Sequence, residues 1–256
     1  VISMSENVNI KIEKDYPLVW IIINREKYAN ALGSKDMFDL KEAIESSCKD
    51  ENAKSVAITG AGEKYFTSGV DLNEISSLED VEEAWNYLYK GLGGVIKAIL
   101  NCRVPVIAAI NGYAIGAGFD LIYAADLAYA VKSAKLGVTA VKWGLIPPIT
   151  STVGFMMANS KAVSYLALTG ELITAEEAVR YGFINDVVEN VESLKSKVKD
   201  IAVKISNNDS LAVEQIKSLI SSAKFNPYIY AGSSTIAAFA ARKGTRDRIK
   251  SLFKNK

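Results

Sequence analysis

Histidine is missing from this chain of 256 residues, and that absence removes more chemistry than any other feature of the composition. Without an imidazole there is no Ser-His-Asp or Cys-His catalysis and no His-ligated metal site. Acid–base work falls to Asp, Glu, Tyr, Lys, Cys or bound water. Cysteine is scarce too. Cys48 and Cys102 are the only two; they match no metal or redox spacing and read as buried, reduced thiols of a cytoplasmic protein. No apolar run approaches the roughly 20 residues of a membrane span, and residues 1–9 carry no apolar signal-peptide core. A charge excess is missing as well: 30 Lys and Arg stand against 29 Asp and Glu. Nothing global pulls the chain toward nucleic acid or an anionic membrane.

What is present is apolar surface, 49% of residues, enough for a sizeable core. Val8, Ile10 and Ile12 alternate with polar residues as in a half-exposed strand. Residues 18–24 read as a buried strand paired with it. Ser34 is a plausible N-cap for a helix running to about Cys48, with Leu40, Ile44 and Cys48 on one face. Residues 55–59 and 106–110 read as buried strands and residues 127–131 as another. Residues 72–100 read as mostly helical, with a core stripe of Trp85, Leu88, Leu92, Ile96 and Ile99. Strand, turn and helix recur at a spacing of roughly 50 residues, which suggests stacked β–β–α turns in one layered α/β domain. Beyond about residue 160 the chain turns helical. Thr174-Ala-Glu-Glu177 is a capping box, Gly182 follows as a C′ glycine, and residues 184–188 read as an edge strand. Residues 191–205, 210–222 and 234–253 read as helices without a core of their own, packing on the first part or on another subunit.

Two loops carry the chemical signal. Gly112-Tyr-Ala-Ile-Gly-Ala-Gly-Phe-Asp-Leu121 reads as a strand, a tight turn at Gly116 and Gly118, and a helix start with Asp120 in its first turn. Tyr65-Phe-Thr-Ser-Gly-Val-Asp-Leu72 is a second loop of the same kind. Either alone also reads as an ordinary strand-to-helix turn. Together they offer two backbone donors for one oxygen, an oxyanion hole.

With these residues the chain resembles the crotonase (enoyl-CoA hydratase/isomerase) family over nearly its whole length. The resemblance rests on Asn24-Arg25 with Asn30-Ala-Leu32, on Phe66 to Leu72, and on the run from Val106 to Leu121. It continues through Gly144-Leu-Ile-Pro147, Leu168-Thr-Gly170 and residues 178–187. It implies an α/β spiral of β–β–α turns in residues 1–190 and a C-terminal helical trimerisation region in residues 191–256. It implies an acyl-CoA thioester as substrate and no cofactor beyond that CoA. The thioester carbonyl would sit between the N–H groups of Val70 and Ala117. Ser68, Gly69, Val70, Asp71, Leu72, Asn73, Gly116 and Ala117 would line the bound substrate.

The departures concern the proton-transfer groups. Hydratases of the family use two glutamates. The first position is Asp120 here, shorter than Glu by one C–C bond, about 1.5 Å. The second falls on Ala140, a degenerate position. Asp120 alone must then serve the proton transfers or enlist water. Asp71 reads as structural rather than catalytic, since at a helix start it can cap N–H groups. Tyr87 and Tyr89 read as core or surface, and Lys27 as a surface lysine rather than a CoA-phosphate contact. Residues 241–256 hold seven Lys and Arg and one Asp; without interleaved aromatics this reads as a solvated helix face, not a nucleic-acid surface. The sequence therefore leads to a cytoplasmic enoyl-CoA hydratase or isomerase, trimeric or hexameric, with no metal and no membrane contact. The competing class is a crotonase scaffold that binds acyl-CoA or a partner after losing efficient catalysis.

Overall fold

The computed structural model describes residues 8–224 and 228–254. β1 (Ile10–Asp15) and β2 (Leu18–Ile23) form an antiparallel hairpin. Val8, which the alternation placed in this strand, lies before it and is exposed. α1 (Ser34–Lys49) follows. Its N-cap is Gly33, not Ser34: Asp36 Oδ2 accepts from the Gly33 N–H at 2.9 Å, while the Ser34 N–H donates to Glu74.

Each later turn of the chain lays one strand in each of two sheets. β3 (Ser55–Gly60), β5 (Val106–Ile110) and β7 (Leu127–Val131) extend β2 as parallel neighbours. β4 (Tyr65–Thr67), β6 (Tyr113–Ile115) and β8 (Lys135–Gly137) build the second sheet beside them, closed by antiparallel β9 (Leu172–Thr174). β10 (Asp186–Val188) pairs with β7 and ends the first sheet in the order β1-β2-β3-β5-β7-β10. The spiral of β–β–α turns expected from the recurrence is thus present. β3 and β5 are buried throughout, as parallel strands covered on both faces require.

The stretch after β4 is not one helix. α2 (Leu72–Ser77) stops, Asp80 restarts the chain by capping the Glu83 N–H, and α3 (Val81–Ala84) runs into a π-helix, Trp85–Leu92, and then α4 (Gly93–Leu100). Within the expected stripe, Leu88, Leu92, Ile96 and Ile99 are buried. α5 (Ala117–Ala124) is buried along its whole length. α6 (Gly154–Met157) and α7 (Ser160–Thr169) lead to α8 (Ala175–Tyr181), which carries the Thr174/Glu177 capping box and ends on Gly182 at φ +83°.

α9 (Val191–Ser206) lies across the first sheet, burying Leu194, Val198 and Ala202 at four-residue spacing. α10 (Ser210–Lys224) is pinned by Lys217 and Lys224, which donate to the Ile99 and Ala125 carbonyls. The expected single helix over 234–253 is two: α11 (Tyr228–Ala240) and α12 (Lys243–Lys254). Arg246 Nη1 donates to the Ala241 carbonyl at the break, and the Thr245 hydroxyl ties the start of α12 to the Gly144 carbonyl. α11 packs on the π-helix and α12 on α2, so this region covers the first part of its own chain. Leu211, Ile216, Leu219 and Ile220 of α10 remain exposed.

The two cysteines correct the sequence reading. Cys48, at the buried face of α1, and Cys102, just past α4, form a disulfide with Cα atoms 5.3 Å apart, a separation that permits bridging. They are not free thiols, and their scarcity is no argument for a reducing compartment. Among the described residues no helix is long and apolar enough to cross a membrane.

Candidate active site

The first glycine loop leaves β4 with its core residues Phe66 and Thr67 fully buried. The Thr67 hydroxyl accepts from the Gly69 N–H at 3.0 Å. Gly69 has φ +93°, and a Cβ there would stand 2.7 Å from the Ile115 carbonyl oxygen and 2.9 Å from the Ala117 nitrogen. Only glycine meets both demands, and the same numbers show that the two loops abut. Leu32 bridges this loop: its N–H donates to the Gly69 carbonyl at 2.8 Å, and its carbonyl accepts from the Asp71 N–H at 3.0 Å. The Val70 N–H stands outside that ladder.

The second loop turns at Gly116, φ +58°. Ala117 is the first residue of α5, so its N–H has no acceptor within the helix. Gly118 serves differently from the sequence reading. It lies within the helix, and a Cβ there would approach Thr67 to 2.8 Å. Close approach of α5 to the first loop, not a turn, excludes a side chain.

Between the loops lies a cavity of about 50 Å³. It brings together Ser68, Val70, Leu72, Gly116, Ala117, Asp120 and Ala140 from the sequence-derived set. Gly69, Asp71 and Asn73 stand outside its lining. Asp71 caps α2 by accepting from the Asn73 N–H at 3.0 Å, and its other oxygen faces Arg25. Arg25 also meets Asp36 at 2.9 Å and the Ala31 carbonyl at 2.6 Å, so Asp71 is an anchor of the loop. Leu92, Thr139, Trp143, the run Leu145 to Pro148, and Ile236 complete the wall. Of these, only Leu145 to Pro147 fell in a motif. Ile236 arrives from α11, more than 100 residues away, and no local pattern marks it. Lys27 is exposed in the turn Glu26–Tyr28, Tyr89 stacks on Trp85, and Tyr87 is buried. A larger open cleft of about 680 Å³ beside Asn101 and Arg103 holds neither glycine loop nor Asp120.

Among the described residues Asp120 is the only ionisable one in the cavity wall, and it is 1% exposed. Its Oδ1 accepts from the Thr150 hydroxyl at a long 3.4 Å. Burial pushes its pKa from 3.8 up to about 7, with Thr150 offsetting part of that rise. Desolvation therefore outweighs the hydrogen bonds with Thr150. Gly116, not Asp120, holds the cap position of α5. An acid half-ionised near neutrality can both take and return a proton.

The sequence profile described as enoyl-CoA hydratase/isomerase matches residues 13–239. An (E)-benzylidenesuccinyl-CoA hydratase of Thauera aromatica is 34% identical, covering 81% of this chain and 80% of its own length. A short-chain-enoyl-CoA hydratase of Clostridium acetobutylicum is also 34% identical, over 83% and 80% of the two chains. Among solved structures, an enoyl-CoA hydratase from Bacillus anthracis superposes with a TM-score of 0.78 at 31% identity, covering 97% and 96%.

Proposed function

Because the chain belongs to the enoyl-CoA hydratase/isomerase, or crotonase, family, we propose that it holds an acyl-CoA thioester carbonyl between the N–H groups of Val70 and Ala117. The protein is an enzyme of that family acting on CoA thioesters. The observation that carries the finer reading is the pair of abutting loops with one buried carboxylic acid in the same cavity. As negative charge moves onto the thioester oxygen, two fixed donors stabilise the enolate; loss of one such donor costs about 3–4 kcal/mol.

Asp120 is the proton-transfer group in this reading. As carboxylate it removes a proton from one carbon of the acyl chain; the resulting acid returns it to another. One base serves both steps of a double-bond shift. Hydration asks for water activation and a proton source together, and Ala140 supplies neither. The reaction class that fits is therefore double-bond isomerisation, with slow water addition as a lesser activity. No cofactor beyond the CoA of the substrate enters.

Residues 1–190 form the catalytic spiral of this reading. Residues 191–256 supply packing, a cavity wall through Ile236, and a trimer interface, with a hexamer as a dimer of trimers. Exposed Leu211, Ile216, Leu219 and Ile220 support the interface. Of the apolar residues that the sequence alone would place at that interface, Leu219, Ile220 and Phe253 are exposed, Ile236 is buried within its own chain, and Phe225 and the side chains of Ile229 and Tyr230 lie outside the described residues. Light scattering at micromolar concentration should show a trimer or its multiple; a stable monomer overturns that part. A cytoplasmic setting belongs to the same proposal, and the disulfide weighs against it; localisation of the tagged full-length protein decides it.

The test is turnover on a panel of short 2-enoyl- and 3-enoyl-CoA thioesters, with Asp120→Asn alongside. Isomerisation exceeding hydration, both abolished in the variant, is the expected result. Turnover that survives Asp120→Asn overturns the assignment.

A further inference from the structure

We propose that Tyr87 is a positioning residue for the Val70 donor, its hydroxyl fixing the aim of that N–H from outside the cavity. The inference rests on the assignment of the Val70 N–H as a thioester donor.

The peptide units on either side of the Val70 Cα are held from the same direction. The first contains the Gly69 carbonyl and the Val70 N–H. Its carbonyl is taken by the Leu32 N–H at 2.8 Å. A trans peptide is planar and its C=O and N–H point opposite ways, so the Val70 N–H faces away from Leu32. The second unit contains the Asp71 N–H. That N–H donates to the Leu32 carbonyl at 3.0 Å and to the Tyr87 hydroxyl at 2.7 Å. The Tyr87 O–H in turn donates to the Leu32 carbonyl. One buried hydroxyl thus closes a three-centre knot on the two backbone groups that set the second unit. The two units meet at the Val70 Cα, so holding the second fixes the position of that Cα and limits how far the first unit, with its N–H, can tilt.

Tyr87 is 1% exposed and comes from a third segment, the π-helix Trp85–Leu92. Such turns occur frequently at functional sites. Burial pushes its pKa well up, so the hydroxyl keeps its proton across any working pH. The bonding pattern also says what the hydroxyl is not needed for. The Asp71 N–H and the Leu32 carbonyl bond each other directly, so a phenylalanine at position 87 leaves neither unsatisfied. A group whose removal orphans nothing, yet which grips both members of an existing bond, restricts orientation more than it fills a requirement of the fold.

The test is Tyr87→Phe, read three ways on an active thioester of the panel. The expected kcat falls roughly tenfold, a fraction of the 10²–10³ that loss of a whole donor costs. KM stays within about twofold, because an interaction tightened only in the transition state is the one weakened. The carbonyl stretch of the bound thioester, lowered in frequency by the donors in the wild type, moves back toward its free position. The pH inflection of Asp120 does not move. Unchanged kcat with an unmoved carbonyl band overturns the inference, whatever the melting temperature does. If Tyr87→Phe does not fold, 3-fluorotyrosine placed at position 87 keeps the shape and weakens the hydroxyl as an acceptor; the band should shift the same way by less, and no shift overturns the inference. Failure of the underlying assignment looks different: the wild type itself then shows no lowering of the carbonyl band on binding.

Discussion

Two aspartates with largely covered side chains sit at the two ends of α5 and have opposite surroundings. Asp120, in the first turn, meets one long bond from Thr150 and apolar walls. Asp126, just past the last turn, meets Lys217 Nζ at 2.5 Å, Lys224 Nζ at 3.8 Å and the Val106 N–H at 2.8 Å. Those lysines also donate to the carbonyls of Ile99, Ala124 and Ala125, at the ends of α4 and α5. Burial drives their own pKa values down, that of Lys224 to about 8. The difference teaches how the two ends of one helix can hold an acid poised to titrate and an acid tied into the fold. A carboxyl held by two lysines and the Val106 N–H ties α10 to the spiral. A buried carboxyl without them is left near its titration point, where proton transfer happens.

The largest break in this comparison comes from removing the reactive acid. Asp120→Asn should lower turnover by about 10²–10⁴-fold. In the wild type kcat/KM should rise with pH through an inflection near 7, as the carboxylate forms. The same variant should gain stability. The unfolded group titrates near 3.8 and the folded one near 7. Between those values the native state holds a proton that the unfolded chain has lost, so stability falls as pH rises from about 4 to about 7. A shift of about three units sets a ceiling of roughly 4 kcal/mol. Melting of Asp120→Asn against wild type should therefore show a gain at pH 8 and little difference at pH 4. A loss at pH 8 would mean that the carboxylate supports the fold.

Lys217→Met attacks the other end. Breaking a buried pair by removing one partner costs about 3–5 kcal/mol. Chemical denaturation should show that loss, while kcat of the folded fraction and the inflection near pH 7 stay in place. A moved inflection would join the two ends electrostatically and end the contrast. The smallest effect is expected from Ala140→Glu, which gives Asp120 an acidic neighbour across the cavity. Two carboxyls sharing a site push one pKa further up, so the inflection should rise. Hydration of 2-enoyl-CoA should increase by roughly tenfold or less, within what an added acid–base group supplies. No change in either quantity would put the new carboxyl outside the reacting region.

The sequence showed what depends on local backbone demands and hid what depends on distant meeting points. Gly69 and Gly116 were legible because a strand-to-helix turn with an apolar helix behind it needs positive φ. Gly118 was misread as part of that turn because a glycine required for close approach has the same letter. The capping box at Thr174 was legible; the restart at Asp80 was not, since residues 72–100 read as mostly helical across it. No local pattern marks Lys217 or Lys224. Only the arrival of α10 over the ends of α4 and α5 turns them inward. Tyr87 read as core or surface, because its partners lie 16 and 55 positions away. Arg25 was visible within a motif, though its grip on Asp36 and Asp71 was not.

The Cys48–Cys102 bond makes a covalent ring of the intervening chain, with a sequence separation of 54. Val70 and Tyr87 lie on that ring, while Ala117 and Asp120 lie on the tail beyond it. In the chain-entropy account, closing a ring of this size removes conformations from the denatured ensemble equivalent to about 4 kcal/mol. The bond therefore favours the folded spiral by limiting the disorder of the unfolded chain, and it does so without touching the reacting groups. The segment that carries Val70 is tethered even when the protein is unfolded, and the segment that carries Ala117 is free to wander until the two sheets assemble.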